Sequence, residues 1–186
     1  LVRMLRGMRN SSPFRGLKVG ETRRVHRLDV GIGTTPRGVP YYWGHLADDA
    51  SPHVLVLVNA GKGPLELYAA WHAKRHAWRR SDWRALDDYW QAKTGLARQL
   101  LQPGVLVVSV TTIDARHLHQ SFSIPFEEEV QTRVTDVVEV LRQQYPNARL
   151  ALIGNSFGTL HQLDYLAKGG HADLVGWIAM PPLHRR

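Results

Sequence analysis

The sequence predicts an α/β fold: a mainly parallel sheet with helices on both faces. Three observations predict it. Apolar runs rich in β-branched residues stand at 54–58, Val105–Val110, 150–153 and Leu174–Met180, each of strand length and without the polar alternation of a half-exposed strand. The stretches between them carry apolar residues at helical spacing. Strand and helix therefore alternate along the chain, which sets successive strands side by side with crossovers packed on the sheet.

Taken in order, residues 1–20 combine basic residues, Ser11-Ser12-Pro13 and three glycines without a period, and read as a flexible basic arm. The domain proper is expected over 21–186. Residues 22–32 partly alternate, Thr34-Thr35-Pro36-Arg37-Gly38 supplies turn chemistry, and 39–43 is extended again, so the two segments read as an antiparallel hairpin. Asp48-Asp49-Ala50-Ser51-Pro52 turns the chain into the first buried strand. Over 65–102, Leu67, Ala70, Trp71 and Trp78, then Trp83, Leu86, Tyr89 and Trp90, keep helical spacing, with Ser81-Asp82 as a cap and Pro103-Gly104 as a stop.

After the second buried strand, Pro125 opens a helix whose acidic start, Glu127-Glu128-Glu129, suits the positive end of the helix dipole. Its inner face is Val130, Val134, Val137, Val138 and Leu141. The third buried strand follows, then a Gly-Ser-Gly turn and a helix over 157–168 closed by Gly169-Gly170. Residues Leu174–Met180 read as a fourth buried strand.

Composition narrows the function. The 186 residues suit one domain with a substantial core, and no apolar run approaches the ~20 residues of a membrane-spanning helix. No cysteine is present, so disulfides, thiolate metal sites and cysteine nucleophiles are excluded. Residues 1–9 lack the apolar core and cleavage site of a secretory signal, and a cytoplasmic home is expected, the true start being Met4, Met8 or upstream. The net charge of +8 is scattered. Its densest group, Lys74, Arg75, Arg79, Arg80 and Arg84, reads as a solvated helix face, so nucleic acid is not an expected partner.

The chemistry is carried by Gly154-Asn155-Ser156-Phe157-Gly158. A serine hydroxyl is a weak nucleophile and needs exposure to a base and donors for the developing oxyanion. A sharp strand-to-helix turn lifts the serine above the sheet and aims helix N–H groups at the reacting oxygen, and its crowding asks for glycine two residues before and two after. An apolar strand precedes this Gly-x-Ser-x-Gly and a helix follows it. The alternative is a Gly-rich connection with an idle serine.

With these flanks, the chain from about Val25 to Pro182 resembles the N-terminal two-thirds of an α/β hydrolase of the esterase, lipase and peptidase superfamily, strands one to six of the usual eight. The resemblance implies that Gly38-Val39-Pro40-Tyr41-Tyr42-Trp43-Gly44 holds the second strand. It also implies that 54–58 with Asn59-Ala60-Gly61-Lys62-Gly63 forms the third strand and its oxyanion loop, Asn59 and Ala60 replacing the family's His-Gly. By position, the backbone N–H groups of Gly61 and Phe157 would form the oxyanion hole; a plain turn glycine is the other reading of Gly61. Of the family's Asp-x-Arg-Gly-x-Gly loop only Asp114 and Arg116 remain, equally readable as a loop-stabilising pair.

The family's acid and histidine follow the nucleophile in the chain. Beyond Ser156 stand only Asp164, Asp173, His161, His171 and His184. His161 falls in the helix after the turn. His171 and Asp173 belong to a loop at the opposite end of the sheet, and His184 stands where the acid would. Triad acid and base are therefore expected to be absent, which makes the chain either incomplete at its C-terminus or a non-catalytic relative. An open hydrophobic last strand favours completion, by a missing C-terminal segment, a homo-oligomer or a partner.

No cofactor and no metal are expected. His72 and His76 have metal-ligand spacing but enclose Ala73-Lys74-Arg75 rather than a glutamate, His117 and His119 lie in an Arg-containing loop, and Gly61-Lys62-Gly63 lacks phosphate-loop spacing. The expected function is a serine hydrolase or acyltransferase acting on a small ester, thioester or amide through an acyl-enzyme on Ser156. A non-catalytic binding module and a polyanion-binding protein are the competing readings.

Overall fold

The computed structural model describes residues 14, 17–38, 40–49, 51–59, 99–110, 133–155, 157–170 and 172–180. Its elements are β1 (Thr22–Val25), β2 (Leu28–Thr34), β3 (Pro40–Leu46), β4 (Val54–Asn59), β5 (Val105–Val110), α1 (Arg133–Gln144), β6 (Arg149–Asn155), α2 (Phe157–Ala167) and β7 (Leu174–Met180). All seven strands join one open sheet in the order β1-β2-β3-β5-β4-β6-β7. The pairings β5-β4, β4-β6 and β6-β7 are parallel, while β1-β2, β2-β3 and β3-β5 are antiparallel. Five strands thus point one way and only β1 and β3 oppose them.

The unbroken apolar runs become the centre of the sheet because both of their faces are covered. Along β4 and β5, Leu55, Leu57, Leu106 and Val108 face one core cluster, and Val56, Val58 and Val107 the other. Burying each such side chain is worth about 1.5–3 kcal/mol. α1 sits on the first of these clusters through Val134, Val137, Val138 and Leu141, each at most 2% exposed, the stripe its spacing predicts. Val130 and the expected start at Pro125 lie outside the described residues.

α2 packs on the same face. Its end is a Schellman closure: Gly169 takes φ 95°, its N–H donates to the Leu166 carbonyl at 3.1 Å, and the Gly170 N–H donates to the Tyr165 carbonyl at 3.1 Å. The opposite face is covered by Phe14 and Leu101, with Leu17 and Leu100 beside them, and Gln99 and Leu100 are helical. Most of the helical stretch expected over 65–102, residues 65–98, lies outside the described residues.

Two expectations are corrected. The single strand read over 22–32 is two strands, β1 and β2, folded back at His26-Arg27. Val25 pairs with Leu28, and His26 takes φ 56°, so the turn carries no glycine, asparagine or proline to announce it. Within the stretch 1–20 read as an arm, only Phe14 and 17–20 are described. The Phe14 ring is 2% exposed and meets Tyr42 edge-on at 5.4 Å, and the Gly20 N–H donates to the Ile32 carbonyl at 2.7 Å. Residues 1–13 lie outside the described residues. Finally, β7 is a strand in the expected place but not a buried one: Val175, Trp177, Ile178 and Met180 are exposed, β7 standing at the edge of the sheet among the described residues.

The β1–β2 hairpin is clasped by a bidentate pair, Arg24 Nε and Nη2 donating to Asp29 Oδ1 and Oδ2 at 2.9 Å each. The hydrogen bond from Arg24, with its charge, holds the Asp29 carboxyl below its ordinary value. A carboxyl lowered in the folded state stabilises above its unfolded pKa of about 3.9, and that contribution is lost as pH falls through the lower folded value. The pair is largely exposed, so Asp29→Asn is expected to cost under about 1 kcal/mol at neutral pH. Urea denaturation at pH 7 and in acid, below the lowered folded value, checks this; a cost that persists there would refute the assignment.

Candidate active site

β4, β5, β6 and β7 are parallel, so their carboxyl ends share one edge of the sheet. The register aligns Val110, Asn59, Gly154 and Ala179 across that edge. β6 ends at Asn155 and α2 begins at Phe157, with only position 156 between strand and helix. Ser156 itself lies outside the described residues, as does Gly61.

The two elements meet closely at Gly154. A Cβ on this residue would stand 2.7 Å from Thr159 Cα and 3.0 Å from Thr159 N, which are backbone atoms of α2, and 2.6 Å from Gln162 Oε1. Helix backbone thus rests on strand backbone, and only glycine fits. Gly158, the second residue of α2, is buried. Phe157 is the first residue of the helix, and its backbone N–H is one of the four that an α-helix leaves without an internal acceptor.

Beneath this turn α2 presents polar rather than apolar residues to the sheet. Thr159 is 4% exposed, and His161 and Gln162 are fully buried. Gln162 Nε2 donates to Asn59 Oδ1 at 2.8 Å, and Gln162 Oε1 accepts from Trp177 Nε1 at 3.0 Å. One side chain therefore ties α2 to the end of β4 and to β7. Thr159 Oγ1 donates to the Met180 carbonyl at 3.4 Å, a longer tie to the end of β7. Asn59 keeps an amide nitrogen, Nδ2, without a hydrogen-bond partner among the described residues.

Sequence reasoning missed this brace. Its only local signal is a helix that buries Thr159, His161 and Gln162 ahead of Tyr165 while Leu160 and Leu163 are exposed. The sequence marks Asn59 only as a replacement in a loop motif, whereas its side chain is a buried acceptor for α2.

The two carboxylates downstream of the turn are engaged elsewhere. Asp164 pairs with Lys168 at 2.9 Å one helical turn away, and Asp173 pairs with Arg142 at 3.0 Å. The Asp173 carbonyl accepts from the Leu150 N–H, which places that loop at the amino end of β6, opposite Gly154. His161 is enclosed within α2's packing. His171 and His184, Asp114 and Arg116, His72, His76, His117, His119 and the basic group at 74–84 lie outside the described residues. Among the described residues no helix is long and apolar enough to cross a membrane.

No protein-family model matches the chain. No curated protein matches it either. Solved structures do. A cold-adapted esterase from an Arctic intertidal metagenomic library is 15% identical, with a TM-score of 0.48 over 80% of this chain and 57% of its own. An S-formylglutathione hydrolase from Agrobacterium tumefaciens is 14% identical, with a TM-score of 0.46 over 85% and 59%. An α/β serine hydrolase without a lid from Xanthomonas campestris is 20% identical, with a TM-score of 0.42 over 82% and 59%. The chain spans under three-fifths of the length of each. The described sheet is open, antiparallel from β1 to β5 and parallel across β5, β4, β6 and β7, with β1 at its outer edge.

Proposed function

We propose that the chain carries the nucleophile half of a serine hydrolase or acyltransferase acting on a small ester, thioester or amide. One observation carries the reading. β6 passes to α2 across a single position, and at Gly154 the two backbones approach so closely that no side chain fits. That crowding is what a Gly-x-Ser-x-Gly turn requires to hold its serine above the sheet.

In the reaction, Ser156 Oγ bonds to the acyl carbon while its proton passes to a general base. The carbonyl oxygen becomes an oxyanion held by the backbone N–H groups of Phe157 and Gly61. Expulsion of the leaving group, which takes up the proton, leaves the acyl group on Ser156. Water or an acceptor alcohol, thiol or amine then releases it. Asp173 stands at the amino end of β6, opposite Gly154, and Asp164 pairs with Lys168 one turn along α2, so we assign the triad acid to neither. We place the protein in the cytoplasm and take its acid and base from outside the described residues, from a further segment or from a second copy.

The same placement of both carboxylates favours a second reading, a non-catalytic α/β-hydrolase-like binding module. A fluorophosphonate probe separates the two. Labelling of the chain, lost in Ser156→Ala and mapped by mass spectrometry to Ser156, is expected. A folded protein that gives no adduct at Ser156, even when made with whatever coding sequence follows Arg186, would leave the binding module.

A further inference from the structure

A cleft of about 430 Å³ lies between the end of α1 and strands β1–β3, and no described residue of β6 or α2 lines it. Its size is within the range of small-molecule sites. It owes its shape to β2, which presents glycine at 31 and 33 opposite Trp43 and Tyr41. A Cβ on Gly31 would stand 2.6 Å from Trp43 Cε2, and one on Gly33 would strike the Tyr41 ring. Both rings therefore reach across bare strand backbone, and Tyr145, just past α1, supplies a third ring.

The charge of the lining decides what it suits. The chain holds 24 lysines and arginines, yet the described lining contains no Lys, Arg or His, and its one ionised side chain is Glu21. That carboxylate is fixed in place, Oε2 accepting the Lys18 backbone N–H at 2.9 Å. Burial raises the phenols of Tyr41 and Tyr145 above their ordinary value, so both rings remain neutral. An anion entering the cleft would meet a carboxylate and no counter-charge.

We propose that this cleft binds a small organic cation of the quaternary-ammonium class, its head among Tyr41, Trp43 and Tyr145 and its charge balanced by Glu21. Ring faces attract a cation through their quadrupole, indole most strongly, and aromatic enclosures are the recurrent way to recognise quaternary ammonium groups. Such a head has no N–H to satisfy, which suits a lining that offers rings and one carboxylate rather than a cage of acceptors. No described residue of β6 or α2 lines the cleft, so the proposal stands or falls independently of the acyl-transfer reading.

The test is titration calorimetry of the full chain with choline and with its neutral carbon isostere, dimethylbutanol. Saturable choline binding, at least about tenfold tighter than the isostere, is expected. Trp43→Leu should weaken choline about tenfold. Tyr145→Phe, which keeps the ring, should bind as the parent does, and Glu21→Gln should bind several-fold more weakly. These last two substitutions are mild and keep the test decisive even if Trp43→Leu misfolds. Equal binding of the two compounds, preference for a neutral sugar such as methyl glucoside, or no saturation by choline would overturn the proposal.

Discussion

Gly154→Ala is expected to abolish fluorophosphonate labelling of Ser156 and to lower stability by about 1–3 kcal/mol, the usual cost of forcing a methyl group into a filled space. The methyl would meet Thr159 Cα at 2.7 Å, and a helix backbone cannot swing aside as a long side chain can. α2 must shift outward, carrying with it Phe157, the proposed oxyanion donor. At about 2–4 °C per kcal/mol for a chain of this size, the midpoint should fall by roughly 2–12 °C. Gly176→Ala is the matched control. A Cβ there meets nothing within 4 Å, so that variant should melt as the parent does or slightly higher. A Gly154→Ala protein that melts and labels like the parent would remove the close approach from the argument, and with it the main support for a nucleophile turn.

How much of this was legible in the sequence differs from element to element, for physical reasons. β4, β5 and β6 were legible because a strand covered on both faces needs no polar positions, and their runs have almost none. The inner stripe of α1 was legible because one apolar core accepts it at helical spacing. β7 has the same composition as a buried strand, yet Ile178 is 57% exposed. Composition records which backbone a segment suits and says nothing of what lies beside it. The division of β1 from β2 was hidden for the opposite reason, since His26 takes a positive φ that glycine or asparagine would have signalled.

At the candidate site, the glycine at 154 was legible because the close approach is set by residues only a few positions away. The brace was not. Gln162 and Asn59 are 103 positions apart, and no local pattern pairs them. Period-based reading expects an apolar inner face, whereas α2 buries Thr159, His161 and Gln162 and exposes Leu160 and Leu163. Ser156 and Gly61 remain sequence-based assignments, which is why the labelling experiment carries the weight of the functional reading.

Gln162→Leu is expected to have the larger effect on stability among substitutions that add no bulk. Leucine has a similar size but removes both hydrogen bonds at once. Asn59 is fully buried, so its Oδ1 would be left without a donor; Trp177 is 37% exposed, so its indole N–H can turn to water. Stranding one buried acceptor costs about 1–3 kcal/mol, and the lost Trp177 bond adds about 0.5–1.5 kcal/mol. The total expected in urea denaturation is therefore about 1.5–4.5 kcal/mol. Trp177→Phe should cost less than Gln162→Leu, because it removes only the donor to Gln162 Oε1 and leaves Gln162 Nε2 donating to Asn59 Oδ1. The decisive comparison is the double-mutant cycle with Asn59→Leu. Removing both partners of a buried hydrogen bond is far cheaper than removing one, so the double variant should be more stable than the sum of the single losses by about 1–2 kcal/mol. Strict additivity would mean that the 2.8 Å contact holds nothing. A recovered double variant that still labels slowly at Ser156 would show that the brace sets the position of α2 beneath the nucleophile as well as the stability of the sheet.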